Sequence, residues 1–149
     1  MATRDISLRG RALAMLARRE HTRAEMKRKL SPHCEDPGQV EQLLDTLVVR
    51  GWLSETRFAE SRANALARKF GSLKIEHDLR SRGVSAEVVD QTVERALAQE
   101  LENCRAAWRR KFGVLPQSAA ERGRQMRFLA GRGFSAETVR QILTTGDAD

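Results

Sequence analysis

From Arg82 to Gln91 the chain reads RGVSAEVVDQ, and 50 residues later, from Arg132 to Gln141, it reads RGFSAETVRQ, identical at seven of ten positions. Each copy has the same grammar. A basic residue closes one helix, a glycine supplies the left-handed turn, a serine caps the next helix with a glutamate in its first turn, and an aliphatic stripe follows. The grammar recurs less literally from Lys27 to Leu47. A period of about 45–50 residues with no strand pattern belongs to stacked helical modules, none of which can bury its apolar face alone. The prediction is an all-α, elongated array of three tandem three-helix repeats, 1–51, 52–99 and 100–149, ending in a short frayed tail from Gly146 to Asp149.

Nine helical segments follow from the stripes and caps. The first runs from Leu8 to Arg19. The second opens on Thr22-Arg23-Ala24-Glu25, read as a capping box in which Glu25 reaches back, and stops before Ser31-Pro32. Val40, Leu43, Leu44 and Leu47 stripe the third, with Gly51 as its left-handed cap. Trp52-Leu53 is placed to staple the fourth, which starts at Ser54 and ends at Gly71. Ser72 opens the fifth, dressed by the pairs Lys74–Asp78 and Glu76–Arg80. Ser85 starts the sixth, with Val88, Val89, Val93 and Leu97 inward; Leu101, Cys104, Trp108 and Phe112 stripe the seventh. Whether sixth and seventh are continuous is left open. Ser118 caps the eighth, with Met126 and Leu129 inward, and Ser135 the ninth.

The same residues argue against catalysis. His21, His33 and His77 have no metal-ligand spacing, Cys34 and Cys104 stand apart, and the ten glycines sit at helix ends rather than in a phosphate loop. No metal or other cofactor is expected. The longest clean apolar run, Ala12 to Ala17, is too short for a membrane span, and Met1 to Arg11 has no apolar signal core. A cytoplasmic monomer is the expectation.

Charge is the remaining clue. The net charge is +7, distributed as +3 over residues 1–50, zero over 51–100 and +4 over 101–149. Alone, it leaves a polyanion-binding face and a merely solvated surface equally open. Cations at helix ends complement the macrodipole, which accounts for Arg18-Arg19, Lys27-Arg28-Lys29 and Arg68-Lys69. It accounts less well for Arg105 with Arg109, Arg110 and Lys111. Trp52, Phe58, Phe70, Trp108, Phe112, Phe128 and Phe134 are possible base-stacking platforms, but at five of the seven a stripe or staple position favours packing.

Three stretches resemble a known family. The first is Ala12 to Leu30, an apolar helix followed by Arg-Arg-Glu-His-Thr and Glu25-Met26-Lys27-Arg28-Lys29-Leu30. The second is Gly51 to Ala59, resumed from Lys69 to Val84. The third, looser, is Lys111-Phe112-Gly113 with Arg127 to Phe134. Together they resemble the RecX family of recombinase regulators over nearly the whole chain. Phe70-Gly71, where the family often carries a tyrosine, and Ser54-Glu55-Thr56, where it often carries acids, are departures. The resemblance implies a protein without turnover that binds the RecA recombinase in the groove of its filament on DNA. It further implies restraint of filament growth, ATP hydrolysis, strand exchange and repressor co-cleavage. Within that role Arg57, Arg68, Lys69, Lys74, Arg109, Arg110 and Lys111 are the candidates for single- or double-stranded DNA, or for acidic patches on the recombinase. Two other readings stand beside it. One is a DNA-binding protein that acts without a recombinase, whose best recognition helix is spoiled by Glu87, Asp90 and Glu94; the other is a pure protein-interaction repeat.

Overall fold

The computed structural model describes residues 6–148; residues 1–5, part of the start read above as lacking an apolar signal core, and the tail residue Asp149 lie outside it. Among the described residues there are eight α-helices and no strand. α1 (Leu8–Arg18), α2 (Arg23–Leu30) and α3 (Pro37–Val49) form the first unit, with a 3-10 turn at Ser31–His33. α4 (Glu55–Leu66) and α5 (Ser72–Ser81) pack on the first half of α6 (Ala86–Lys111). α7 (Ala119–Gly131) and α8 (Ala136–Thr145) pack on and around its second half. The two segments left open above are thus one helix of 26 residues, about 39 Å long. Nothing between Leu97 and Leu101 breaks it, because Ala-Gln-Glu are all good helix formers.

Each unit has its own apolar core. Ala12, Met26, Leu30, Leu44 and Leu47 close the first, joined by Leu53 from beyond the α3 turn. Phe58, Ala59, Ile75, Leu79 and Val89 close the second. Trp108, Leu129, Phe134, Ile142 and Leu143 close the third. The caps are as the sequence implied: the side chains of Thr22, Ser54, Ser85, Ser118 and Ser135 each accept the N–H three residues on. Gly51, Gly83 and Gly133 take positive φ after α3, α5 and α7.

Several expectations fail for identifiable reasons. Glu25 does not complete the capping box; its Oε2 accepts the Arg19 guanidinium at 2.9 Å, a charge-assisted bond stronger than one to an amide, and its Oε1 is buried without a partner among the described residues. Asp78 takes Arg62 and Arg82 instead of Lys74, whereas the Glu76–Arg80 pair forms. Trp52 points outward while Leu53 fills the core, and Leu97 and Met126 are exposed. In α7 the inward position beside Leu129 belongs to Gln125, whose Oε1 accepts the Trp108 indole N–H at 2.8 Å. A buried indole needs an acceptor, and methionine offers none of comparable strength. Within the tail, Gly146 and Asp147 are tied down: the Gly146 carbonyl accepts Arg105 and Asp147 pairs with Arg109.

The seams between units differ. The first is spanned by an exposed ion pair, Arg57 to Glu20 at 2.9 Å, with Gly83 close against Ala24. The second is spanned by α6 itself and by direct backbone pairing. Gly71 donates to the Arg132 carbonyl at 2.9 Å and Leu73 to the Gly133 carbonyl at 3.0 Å. Gly71, expected to terminate α4, is instead the extended residue before α5, where its missing side chain admits the backbone of Gly133 and Phe134. Beneath that contact lies Glu100, 2% exposed, whose carboxylate accepts the N–H and hydroxyl of Ser72, the N–H and hydroxyl of Ser135, and the hydroxyl of Thr138. One side chain from α6 thereby caps both α5 and α8.

Candidate nucleic-acid interface

The loop from α4 to α5 and the turn from α7 to α8 meet at the second seam, against the last turns of α6. The cleft between them, about 430 Å³, is lined by Arg68, Lys69, Arg110, Lys111 and Arg132, with Ala107 and Phe128 as its apolar wall. Among the described residues no carboxylate lines it. The Arg110 guanidinium donates to the Arg68 carbonyl at 3.0 Å, tying the loop to α6. Beside it a stack of cations and rings runs along the seam. Lys74 Nζ lies 4.9 Å from the Phe70 ring, Arg132 lies 5.7 Å from Phe70 and 5.0 Å from Phe128, and Lys111 Nζ lies 5.5 Å from Phe128. Among the described residues none of Arg68, Lys69, Lys74, Arg110, Lys111 and Arg132 forms an ion pair.

Five of the seven sequence candidates are therefore neighbours at this seam: Arg68, Lys69, Lys74, Arg110 and Lys111. Two are not brought in. Arg57 sits at the first seam, bound to Glu20 and to the Gly51 carbonyl at 2.7 Å. Arg109 is neutralised by Asp147. Arg57→Ala is expected to leave nucleic-acid affinity within about twofold and to cost at most about 1 kcal/mol of stability, as for exposed pairs generally; filter binding and thermal melting check both halves.

Arg132 was missed, and the repeat itself carried the signal. At the 50-residue offset, Arg62, Asp78 and Arg82 of the second unit correspond to Phe112, Phe128 and Arg132 of the third. In the second unit they form an ion triad, Arg62 at 2.8 Å and Arg82 at 3.1 Å from Asp78, and Arg62 holds that carboxyl below its ordinary range. In the third unit Phe112 and Phe128 pack edge to face at 5.5 Å, and Arg132 lies over the Phe128 ring with no counter-ion among the described residues. The exchange of one aspartate for phenylalanine frees the guanidinium. Phe70 and Phe128 are half-buried and carry cations over their rings, so they do not offer a bare stacking surface.

Elsewhere the chemistry is quiet. A larger groove of about 800 Å³ between α4 and α6 is lined by alanines and by Asn64, Gln99 and Asn103, with Glu60 bonded to Arg95 at its edge. Burial pushes the Cys104 thiol up to about 12, and the buried His21 ring sits 2.9 Å from the Arg19 carbonyl. Among the described residues no three of His, Cys, Asp and Glu converge to hold a metal, and no helix is long and apolar enough to cross a membrane.

Three three-helix units joined end to end, with a cationic cleft at one seam, define the class: a tandem helical-repeat protein. The family models for the first, second and third three-helix domains of RecX match residues 9–47, 54–93 and 98–143. The chain belongs to the RecX family. It is 46% identical over 143 residues to the Regulatory protein RecX of Leptothrix cholodnii, covering 96% of this chain and 91% of that one. It is 42% identical over 151 residues to that of Chromobacterium violaceum, covering 100% and 97%. The fold is similar to the crystal structure of RecX from Lactobacillus salivarius, with a TM-score of 0.82 at 16% identity over 94% of each chain.

Proposed function

We propose that the chain is a non-enzymatic regulator that binds a RecA-type recombinase filament on DNA and restrains its growth, ATP hydrolysis, strand exchange and co-protease activity. The observation that carries this reading is the convergence at the second seam of six cations without an ion-pair partner among the described residues. Like charges held this close repel one another, and a polyanion relieves the repulsion while releasing its own counter-ions. The name borne by its relatives, Regulatory protein RecX, supports the regulatory part. Separate units presenting separate surfaces suit a repeating target, because weak contacts on adjacent protomers combine through effective concentration. The cleft meets DNA phosphate, and the binding it gives is independent of sequence and sensitive to salt. The protein works as a monomer in the cytoplasm.

The test is the ATPase rate of the cognate recombinase on single-stranded DNA, titrated with this protein at two salt concentrations. Inhibition well below one regulator per recombinase protomer is the expected result; no effect at saturation, with binding to naked DNA intact, would move the function to a DNA-binding protein that acts without a recombinase. The triple variant K69A/K111A/R132A, with its circular dichroism unchanged, is expected to weaken single-strand binding and to flatten the log affinity against log salt slope by about 2. An unchanged slope would remove phosphate from the cleft.

A further inference from the structure

A second surface lies on the first unit, away from the cationic cleft. At the end of α3 the chain turns through Gly51 at φ +76°, burying Leu53 and directing Trp52 outward. Trp52 is 40% exposed, and its ring has the Arg50 guanidinium 5.2 Å and the Arg9 guanidinium 5.8 Å from its centroid. Val48 and Val49, four and three residues before it on the last turn of α3, are exposed, Val49 at 85%. Leu13, one turn on from Arg9 along α1, is exposed as well. Neither Arg9 nor Arg50 forms an ion pair among the described residues.

We infer that this patch docks a folded protein, through an aliphatic surface edged with carboxylates, and that the docking partner is the protein component of the filament. The inference rests on the functional reading above and adds a second point of contact to it. The composition selects the partner. An exposed tryptophan flanked by arginines, among aliphatic side chains, has the make-up of the energetic centre of a protein interface, where Trp and Arg are over-represented. Nucleic acid fits it less well: two guanidinium groups stand here against six cations at the second seam, and the rest of the patch, Leu13, Val48 and Val49, offers neither a planar face to a base nor a donor to a phosphate. A second copy of this chain fits poorly too, because a two-fold contact through the patch would bring like-charged rims together on a protein already at +7. A carboxylate-edged aliphatic surface satisfies both halves, pairing with Arg9 and Arg50 at the rim while the apolar centre loses water. The two surfaces then divide the task, phosphate at the second seam and protein at the first unit.

The experiment compares wild type with Val49→Asp and Trp52→Ala, both exposed positions whose folding is verified by circular dichroism. Two probes are used: the cognate recombinase assembled on oligo(dT), and the same labelled oligo(dT) alone. Val49→Asp and Trp52→Ala are expected to lower affinity for the filament about tenfold or more, as loss of an interface centre does, and to leave affinity for the bare oligonucleotide within about twofold. Equal filament affinity in all three proteins overturns the proposal. A parallel loss on bare oligonucleotide overturns it in favour of a nucleic-acid platform, and a concentration-dependent dimer abolished by the substitutions overturns it in favour of self-association. If wild type itself does not bind the filament, the functional reading fails first and the docking partner falls with it.

Discussion

Gly71→Ala is expected to unfold the second seam, lowering stability by about 3–5 kcal/mol and the melting temperature by about 10 °C or more. The backbone at Gly71 is extended, φ −91°, and would suit any residue, so the cost is one of space alone. A methyl there would stand 2.5 Å from both N and Cα of Phe134 and 2.6 Å from the Gly133 carbonyl oxygen. All three are backbone atoms, and none can rotate aside. The loop and the turn must therefore separate, breaking the two backbone hydrogen bonds that join them and pulling Ser72 and Ser135 off Glu100. The cleft should go with the seam, since Lys74 packs along Gly133 and Arg132 lies between the two rings. Gly131→Ala is the control: no atom beyond its own neighbours and turn of helix lies within 4 Å of its added methyl, and the residue is the last of α7. There alanine should be neutral or stabilising by up to about 1 kcal/mol. Equal melting temperatures for the two variants, measured by circular dichroism, would mean that the close approach does not hold the units together.

Much of this arrangement could be read from the residues. The serine caps at 54, 85, 118 and 135 and the turn glycines at 51, 83 and 133 are local devices, and local devices show in sequence because their partners lie within four residues. The misreadings are non-local. Ser72 and Gly71 look like an ordinary cap and stop, yet their partners are Glu100, Arg132 and Phe134, which lie 28 to 63 residues away. Lys74 stands at ion-pair spacing from Asp78, but Arg62, reaching across from α4, holds that aspartate first. Met126 and Gln125 differ by one step on α7, and only the indole of Trp108 decides which faces inward.

The candidate site divides the same way. Clusters such as Arg68-Lys69 and Arg110-Lys111 are visible as charge, but sequence does not tell which cations lack a carboxylate. Arg109 looked as promising as Arg110 and is neutralised by a tail residue 38 positions on. Arg132 was hidden by its similarity to Arg82 in the repeat. The informative position was the unlike one four residues earlier, Asp78 against Phe128.

Glu100→Gln is expected to cost about 1–3 kcal/mol at neutral pH, and the cost should vanish in acid. Burial by itself raises the pKa of this carboxyl, but hydrogen bonds from the N–H and hydroxyl of Ser72 and from the hydroxyls of Thr138 and Ser135 outweigh it, leaving the value below 4.5. All of its hydrogen-bond donors are neutral. The charge is held by two helix N-termini, where an anion is favoured by the orphan amides and the dipole. Glutamine keeps the shape and loses the charge. Its oxygen can serve Ser72 while its amide turns toward Ser135 and Thr138, whose hydroxyls can rotate to accept but then cap α8 less well. Because the folded pKa is depressed, the stability from this carboxylate is fully present above the unfolded value of 4.5 and is lost as pH falls through the folded value. Denaturant midpoints from pH 3 to 8 should therefore show wild type and Glu100→Gln far apart at pH 7 and converging below 4.5. A gap of the same size at pH 3 and pH 7 would mean that shape, and not charge, is what Glu100 contributes to the seam.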